Sequence, residues 1–204
     1  MASTELARKV IREFIEHGII DFVLSPGSRN APLSIALHEA SKRGLVNLHI
    51  RIDERTAAFF ALGIAKATRR PAALVCTSGT AVANYYPAFL EAFHSDLPLY
   101  VLSADRPARL RQTGANQTTN QVHLFNCGRY FDGGNYEFHA NGPTHINLEF
   151  DEPLLSDKQS NWLEDLASDN LITENLVEEE LLIPKGKGIV IADRKSTRLN
   201  SSHT

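Results

Sequence analysis

The hydrophobic pattern of the chain switches repeatedly between helical spacing and short apolar runs. Leu6, Val10 and Phe14 recur at helical spacing in the first segment, which Ser3 or Thr4 is expected to cap and Gly18 to end. Strands are predicted at 21–24, 46–52, 72–77 and 97–104, with a last one inside 142–154. Helices are predicted after Asn30 as N-cap, over 55–68, and as one long helix between the strands at 72–77 and 97–104.

This alternation of strands and helices predicts the fold class. Repeated βα units form an α/β fold with an open, mostly parallel sheet and helices on both faces. Ligands of such sheets bind at the carboxyl ends of the strands. The segments SPGSR, DER, TSGT and ADRP all follow predicted strands, so we expect them to converge on one edge.

Domain boundaries follow from where the pattern changes. We expect one domain over residues 1–155, an acidic and Asn-rich linker over 156–183 with a possible helix, and the start of a further domain over 184–193, where GIVIAD begins a new strand. Residues 194–204, RKSTRLNSSHT, show no apolar periodicity and are expected to be a non-native tail. The chain is therefore interpreted as a piece of a longer protein.

Composition excludes several classes of function. With 204 residues and a formal net charge of −3, the chain lacks the basic field that attracts nucleic acid. Its apolar runs fall short of the roughly 20 residues that span a membrane, and the polar N-terminus lacks a signal-peptide core, so a cytosolic (cytoplasmic) protein is expected. Cys76 and Cys127 lack metal-ligand spacing and are expected to be buried, reduced thiols.

Glu54 is the first candidate for chemistry. It follows Asp53 at the predicted start of the Ala-rich helix, where carboxylates commonly serve as caps or complement the helix dipole. Spacing alone favours that structural role. The alternative is a half-buried catalytic acid that hydrogen-bonds a heteroaromatic nitrogen of a ligand.

Two further junctions offer groups that can bind ligands. Ser28 and Arg29 precede a helix whose free N–H groups suit a carboxylate or phosphate, but the motif alone is weak evidence, since an ordinary Pro-Gly turn with a solvated arginine also explains it. Thr77, Ser78 and Gly79 form a turn that permits close backbone approach, or simply a capped helix start. The absence of a following lysine argues against a nucleotide-triphosphate loop.

The polar loop of about twenty residues after the strand at 97–104 has the profile of a binding loop. Its forked and amide donors, which could hold more than one carboxylate, are Arg106, Arg109, Arg111, Asn116 and Gln117. A solvated basic loop is the simpler interpretation and is expected to hold for Arg109 or Arg111. Arg106, directly after a buried strand, is the better candidate. The histidines show neither metal-ligand spacing nor a hydrolase triad.

Taken together, SPGSRNAPL, HIRIDERTAAFFALGIAKAT, ALVCTSGTAVANYYPA, LSADRPARLRQTGANQT and GPTHINLEFDEPL resemble a known family. They are similar to the N-terminal pyrimidine-binding domain of thiamine-diphosphate enzymes, specifically the 2-succinyl-5-enolpyruvyl-6-hydroxy-3-cyclohexene-1-carboxylate synthases of menaquinone biosynthesis. The resemblance covers most of residues 2–154.

The resemblance implies a transferase that decarboxylates 2-oxoglutarate on thiamine diphosphate and adds the succinyl carbanion equivalent to isochorismate. Glu54 matches the catalytic glutamate, which hydrogen-bonds N1′ of the aminopyrimidine so that the 4′-imino group can remove the thiazolium C2 proton. Thr77, Ser78 and Gly79 match cofactor-binding positions. The positions that match residues binding the substrate carboxylates are Ser28, Arg29, Arg106, Asn116 and Gln117.

The sequence also departs from that family. After Asp132 the family has a longer segment with another helix, whereas here only GGNYEFHAN precedes the last strand, so one sheet face is expected to expose apolar surface. The C-terminal domain that carries the GDG-type motif and the ligands of Mg²⁺ or Mn²⁺ is not part of this sequence. The family's site forms between subunits, which implies a homo-oligomer, at least a dimer, for the parent protein and an inactive fragment.

Two alternatives remain open. A related decarboxylating enzyme, such as an acetohydroxyacid synthase, would share the glutamate without needing the ADRP and GANQ segments. A non-catalytic α/β binding or dimerisation module would use Glu54 only as a cap.

Overall fold

The computed structural model describes residues 1–111, 113–156 and 160–166, all within one compact unit. The predicted strand at 188–193, the tail at 194–204 and most of the predicted linker lie outside the described residues. The helices are α1 (Ser3–Glu16), α2 (Ala31–Lys42), α3 (Glu54–Thr68), α4 (Thr80–Ala83) and α5 (Tyr86–His94), with a 3₁₀ turn at Ala108–Leu110. The strands are β1 (Asp21–Leu24), β2 (Asn47–Ile50), β3 (Ala72–Cys76), β4 (Leu99–Asp105), β5 (Arg129–Asp132) and β6 (Thr144–Glu149).

The strands of the described chain form one six-stranded parallel sheet in the order β2-β1-β3-β4-β6-β5. The predicted α/β class is confirmed. Strands β3 and β4 are buried along their whole length because helices cover both faces. From β1 the chain first adds β2 on one side and then β3 on the other, so the order reverses between β1 and β3. Ligand crevices of open parallel sheets form at such a reversal.

Two apolar cores lie on opposite faces of the sheet. One contains α1 and α2 and includes Phe14, Phe22 and Tyr100. The other contains α3 and α5 and includes Phe89 and Val101. Within the described residues, no helix has the length and hydropathy needed to cross a membrane.

The predicted cap of the first helix is wrong. Ala2 is the N-cap, and the hydroxyls of Ser3 and Thr4 instead donate to the carbonyls of Asp151, at 2.6 Å, and Leu154, at 3.3 Å. Tertiary contact with the chain after β6 therefore outweighs local capping. Asn30 does stand at the N-cap of α2, but its amide bonds to Gly27 N–H and Ser25 O, so it braces the preceding loop.

The long helix predicted after β3 is two short helices. Pro87 lies in the first turn of α5, where its ring is tolerated, but inside a continuous helix it would have no N–H for the carbonyl of Ala83. The break at Asn84 and Tyr85 also directs the Tyr85 ring into the core, where it is fully buried.

The expected exposure of apolar surface after Asp132 is also wrong. The short connection from β5 to β6 places Tyr136 and Phe138 over the sheet, and the Phe138 ring lies 5.0 Å from that of Phe14 and stacks on His17 at 3.8 Å. The large exposed apolar side chains of the described chain lie elsewhere. The connection leaves a surface pocket of about 880 Å³ beside α1.

Residues 160–166, inside the predicted linker, pack against the first core. Leu163 is buried, and Trp162 Nε1 donates to Glu39 Oε2 at 2.6 Å. Arg12 Nη1 donates to the carbonyl of Trp162 at 2.7 Å. This part of the chain is therefore held on α1 and α2.

The two cysteines differ in environment. Both are free; Cys76 is buried on β3, as expected, whereas Cys127 is only half-buried because it lies in the turn before β5. Burial raises the pKa of both thiols.

Candidate functional site

The loops after β1 and β3 meet at the carboxyl edge of the sheet, where the strand order reverses. Ser25 N–H donates to the carbonyl of Val75 at 2.8 Å, which joins the two loop starts. A Cβ on Gly27 would lie 2.5 Å from Cβ of Thr77, so only glycine allows this approach. The predicted convergence of the SPGSR and TSGT segments is thus observed.

Asp53 and Glu54 have different environments at the start of α3. Asp53 is the N-cap, because its Oδ1 accepts from Thr56 N–H at 2.8 Å, and this hydrogen bond lowers the pKa of the Asp53 carboxyl. Glu54 is half-buried in the first turn and has no hydrogen bond or ion pair to the described residues. The capping role is therefore already filled, and the Glu54 carboxylate is left available.

A buried polar cluster lies close to Glu54. Tyr85 Oη is near Cys76 and Ser25, yet neither Ser25 Oγ nor Tyr85 Oη has a partner with hydrogen-bond geometry in the described chain. Burial first, and then the neighbouring charges including that of Glu54, raise the pKa of Tyr85 and of Cys76. Neutral hydroxyl and thiol groups therefore line this side of the site.

The turn after β3 is tied to the loop after β4. Ser78 Oγ donates to the carbonyl of Gln117 at 2.9 Å and accepts from Arg106 Nη1 at 3.0 Å. Arg106 Nη1 also donates to the Gln117 carbonyl at 3.1 Å. Gly79 has φ of 84°, and a Cβ there would meet Gln117 O at 2.9 Å. Thr77 and Ser78 are buried, so this turn offers mainly backbone to a ligand.

Arg29 crosses from the loop after β1 to the chain after β6. Its Nη1 donates to the carbonyl of Phe150 at 3.1 Å and to Glu152 Oε1 at 3.2 Å, while the side chain is 14% exposed. Nε and Nη2 make no hydrogen bond within the described chain, so one edge of the guanidinium remains for a carboxylate. Ser28 is exposed beside it.

The remaining loop candidates divide into two groups. Asn116 and Gln117 are exposed, with Gln117 at φ of 54°. Arg109 is 62% exposed and pairs with Asp151, as a solvated basic loop would. Arg111 is different, because it is only 13% exposed and pairs with three carboxylates, those of Asp105, Asp132 and Glu149. It is a structural residue.

Sequence reasoning missed Gln121 and Asn147. Both are fully buried, and Gln121 Nε2 donates to Asn147 Oδ1 at 2.8 Å while its Oε1 accepts from Gly79 N–H at 2.9 Å. A single glutamine in a polar loop gives no hydropathy signal of burial. The signal that existed was the polar residue at an inward position of β6, which needs a buried partner.

Among the described residues, no group of histidine, cysteine, aspartate and glutamate side chains could hold a metal ion. What the edge of the sheet offers instead is an available carboxylate, two arginine side chains and loops that glycines allow to pack closely together. This combination suits an organic ligand with a ring nitrogen and carboxylates.

Comparison with known proteins identifies the family. Residues 4–124 match the family described as thiamine pyrophosphate enzyme, N-terminal TPP binding domain. The chain is 52% identical over 168 residues to a 2-succinyl-5-enolpyruvyl-6-hydroxy-3-cyclohexene-1-carboxylate synthase of Nocardioides sp., covering 81% of this chain and 31% of the relative. Synthases with the same name from Saccharopolyspora erythraea and Lysinibacillus sphaericus are 46% and 40% identical, over 80% and 76% of this chain and 34% and 31% of theirs.

The chain thus spans about a third of the length of these relatives. The matched part includes the loops after β1, β2 and β3 and nearly all of the loop after β4. The resemblance inferred from the motifs is confirmed: the chain belongs to the thiamine pyrophosphate enzyme family through its N-terminal TPP-binding domain, and it is a homologue of the 2-succinyl-5-enolpyruvyl-6-hydroxy-3-cyclohexene-1-carboxylate synthases.

Proposed function

We propose that this chain is the pyrimidine-binding part of a thiamine-diphosphate-dependent transferase of menaquinone biosynthesis. The reaction decarboxylates 2-oxoglutarate and adds the succinyl carbanion equivalent to isochorismate, giving 2-succinyl-5-enolpyruvyl-6-hydroxy-3-cyclohexene-1-carboxylate. Homology to synthases of that name over their N-terminal third supports the proposal.

The availability of Glu54 is the observation that carries the proposal. A carboxylate that begins a helix ordinarily caps it, but Asp53 already accepts from Thr56 N–H. Glu54 lies half-buried beside buried hydroxyl and thiol groups and has no partner among the described residues. A binding module would gain nothing from leaving it unpaired, whereas a catalytic acid must be unpaired to reach its ligand.

The residues of the site fit the aminopyrimidine of the cofactor. Glu54 can hold a proton shared with a ring nitrogen, and the buried hydroxyls of Ser25 and Tyr85 lack partners, as polar groups lining a ligand site do. Gly27 and Gly79 let the loops after β1, β3 and β4 pack closely against one another around this site. When bound, thiamine diphosphate supplies the thiazolium that stabilises negative charge after decarboxylation. Mg²⁺ or Mn²⁺ would be bound by residues other than those that the structure describes.

Arg29 and Arg106 are the proposed carboxylate-binding residues. The free edge of Arg29 suits a bidentate carboxylate, and Arg106 makes no ion pair within the described chain. Ser28, Asn116 and Gln117 are exposed near them and can complete the contacts. A second copy of the parent chain is the proposed partner, because the resemblance implies a site that forms between two subunits.

Glu54→Gln, tested in a chain extended to the length of its relatives, distinguishes a catalytic enzyme from a non-catalytic binding module. Loss of a proton-transferring carboxylate should lower the rate of 2-oxoglutarate decarboxylation by roughly 10²–10⁴-fold. Asp53→Asn is the matched control, since it removes the same charge one residue away and asparagine caps as well as aspartate. Activity retained in Glu54→Gln would favour the binding module. If Arg106→Ala left the use of 2-oxoglutarate intact, the assignment of Arg106 to a substrate carboxylate would be refuted. An extended unmodified chain that did not decarboxylate 2-oxoglutarate would favour a related synthase with another substrate.

A further inference from the structure

Gln121 connects three strand ends of the sheet although it belongs to a surface loop. Its side chain is fully buried. Oε1 accepts from Gly79 N–H after β3 at 2.9 Å, and Nε2 donates to Asn147 Oδ1 on β6 at 2.8 Å and to the carbonyl of Ala104 on β4 at 3.3 Å. A polar side chain buried in this way must have a function in the fold or at the site.

The direction of every hydrogen bond in this chain of contacts is fixed. Arg111 can only donate, and it donates to Asp132 at 3.1 Å. The carboxylate of Asp132 can only accept, so Asn147 must turn Nδ2 towards it, at 3.1 Å, and Oδ1 towards Gln121. Gln121 must then present Nε2 to Asn147 and Oε1 to Gly79 N–H. The network leaves the Gln121 amide a single orientation.

The loop after β4 also contacts the turn after β3 through Gln117. The carbonyl of Gln117, four residues before Gln121, accepts from Ser78 Oγ at 2.9 Å and from Arg106 Nη1 at 3.1 Å. Ser78 and Gly79 are adjacent, so the turn after β3 is bonded to this loop at two consecutive residues. Any displacement of the loop at residues 116–121 must therefore move the turn or break these bonds.

We propose that Gln121 is a positioning residue that fixes the Asn116–Gln117 segment and the Ser78–Gly79 turn as one unit. The inference rests on the proposed function, which assigns the turn to the cofactor and the segment to the substrate. Its consequence is that a contact made by either ligand is transmitted to the other's residues not only through the direct Ser78–Gln117 bond but also through a side chain that touches neither ligand.

Gln121→Glu tests this proposal because its effect depends on protonation. A neutral carboxyl can accept from Gly79 N–H and donate to Asn147 Oδ1, whereas an ionised one places two acceptors against each other. Burial should raise the pKa of the introduced carboxyl above the roughly 4.3 of an exposed glutamate. The network should therefore be intact at low pH and break as the pH rises through the raised pKa.

Other ionisable groups surround position 121 and define the controls. They are Asp105 on β4, Asp132 on β5, His145 and Glu149 on β6, and Arg106 and Arg111 in the loop. Burial lowers the pKa of His145 to about 3, so it stays neutral through most of the range. The unmodified chain reports the titration of all of them. Asn120→Asp adds the same charge at an exposed neighbouring position and keeps its acceptor for Val122 N–H.

The measurement is amide hydrogen exchange and chemical shift at Gly79 and Gln117 by NMR, compared with the unmodified chain at each pH. In Gln121→Glu we expect both amides to shift with one common midpoint and Gly79 to exchange at least about tenfold faster above it, as expected for loss of roughly one hydrogen bond. Asn120→Asp should show neither change. Gln117 unchanged while Gly79 shifts would refute the coupling.

A second variant covers the case in which Gln121→Glu does not fold. Gln121→Met has similar length but neither donor nor acceptor, and we expect faster Gly79 exchange, again about tenfold, at every pH. Exchange within about twofold of the unmodified chain would overturn the proposal. The proposed function is tested separately by adding 2-oxoglutarate to the unmodified chain extended to the length of its relatives. An unchanged chemical shift of the Gln117 amide would contradict the proposed substrate and would not affect the result for Gln121.

Discussion

Arg111→Ala and Arg109→Ala should have very different effects on stability, although the two arginines lie two residues apart in one loop. Arg109 and its partner Asp151 are 62% and 48% exposed, so solvent screens their attraction and we expect no measurable change in Tm. Arg111 is 13% exposed, and its partner Asp105 is completely buried at 3.0 Å. Removing Arg111 leaves that carboxylate buried without its counter-charge.

The magnitude follows from the burial of the three carboxylates around Arg111. Breaking a fully buried ion pair costs about 3–5 kcal/mol. Asp132 and Glu149 are 38% and 35% exposed, so water can partly replace the lost guanidinium there. We therefore expect Arg111→Ala to lower the free energy of unfolding by about 2–4 kcal/mol. For a chain of this size, that corresponds to a fall in Tm of about 5–15 °C.

The penalty of Arg111→Ala should also depend on pH. Burial opposes ionisation of Asp132, but hydrogen bonds from Arg111 and Asn147 outweigh it and lower the pKa of this carboxyl. A group with a lowered folded pKa stabilises the fold above its unfolded pKa, and that contribution is lost as the pH falls through the folded value. The stability gap between the variant and the unmodified chain should therefore be full at pH 7 and narrow below about pH 4.

Urea and thermal unfolding monitored by circular dichroism would measure both effects. The comparison at neutral pH separates the two arginines, and the series to acid pH tests the electrostatic cause. Equal Tm values for Arg111→Ala and Arg109→Ala at pH 7 would refute the assignment of Arg111 as a structural residue. A gap that stays constant into acid would show that lost packing, rather than charge, explains the penalty.

Two further predictions concern glycine positions and thiols. Gly27→Ala should destabilise the fold by about 1–3 kcal/mol, because its Cβ would lie 2.5 Å from Cβ of buried Thr77. Gly63→Ala, at an open position within α3, should stabilise the fold by about 0.5–1 kcal/mol. Equal unfolding midpoints for the two variants would contradict this difference. Burial raises the pKa of both thiols, so Cys76 should not react with a thiol reagent before unfolding and Cys127 should react slowly. Titration with a chromogenic thiol reagent before and after denaturation would check this.

The parts of the fold that the sequence predicts are those set by local pattern. The apolar runs of β3 and β4 predict central strands because a parallel strand covered on both faces has no polar side to show. Strand β5 was not predicted, since Arg129–Asp132 is short and half-exposed and, in the described part of the chain, pairs only with β6, more than ten residues later. An edge strand of this kind has almost no local signal.

The same distinction holds for the candidate site. That the loops after β1 and β3 meet could be predicted from topology, because parallel strand ends share one edge. Whether Asp53 or Glu54 caps α3 could not, since both residues are good caps and only the observed bond to Thr56 decides. Gln121 was missed because its partners Gly79 and Asn147 lie 42 and 26 residues away.

The carboxylates at this edge would compete for Arg106, and Arg111 limits that competition. Asp105, Asp132 and Glu149 lie at the ends of β4, β5 and β6, beside the loop that is proposed to bind a dicarboxylate. Their combined charge would repel such a ligand and would also attract Arg106 away from it. Arg111 pairs with all three, and Arg106 keeps its charge free of ion pairs among the described residues. The structural arginine therefore leaves the candidate binding arginine available for a ligand.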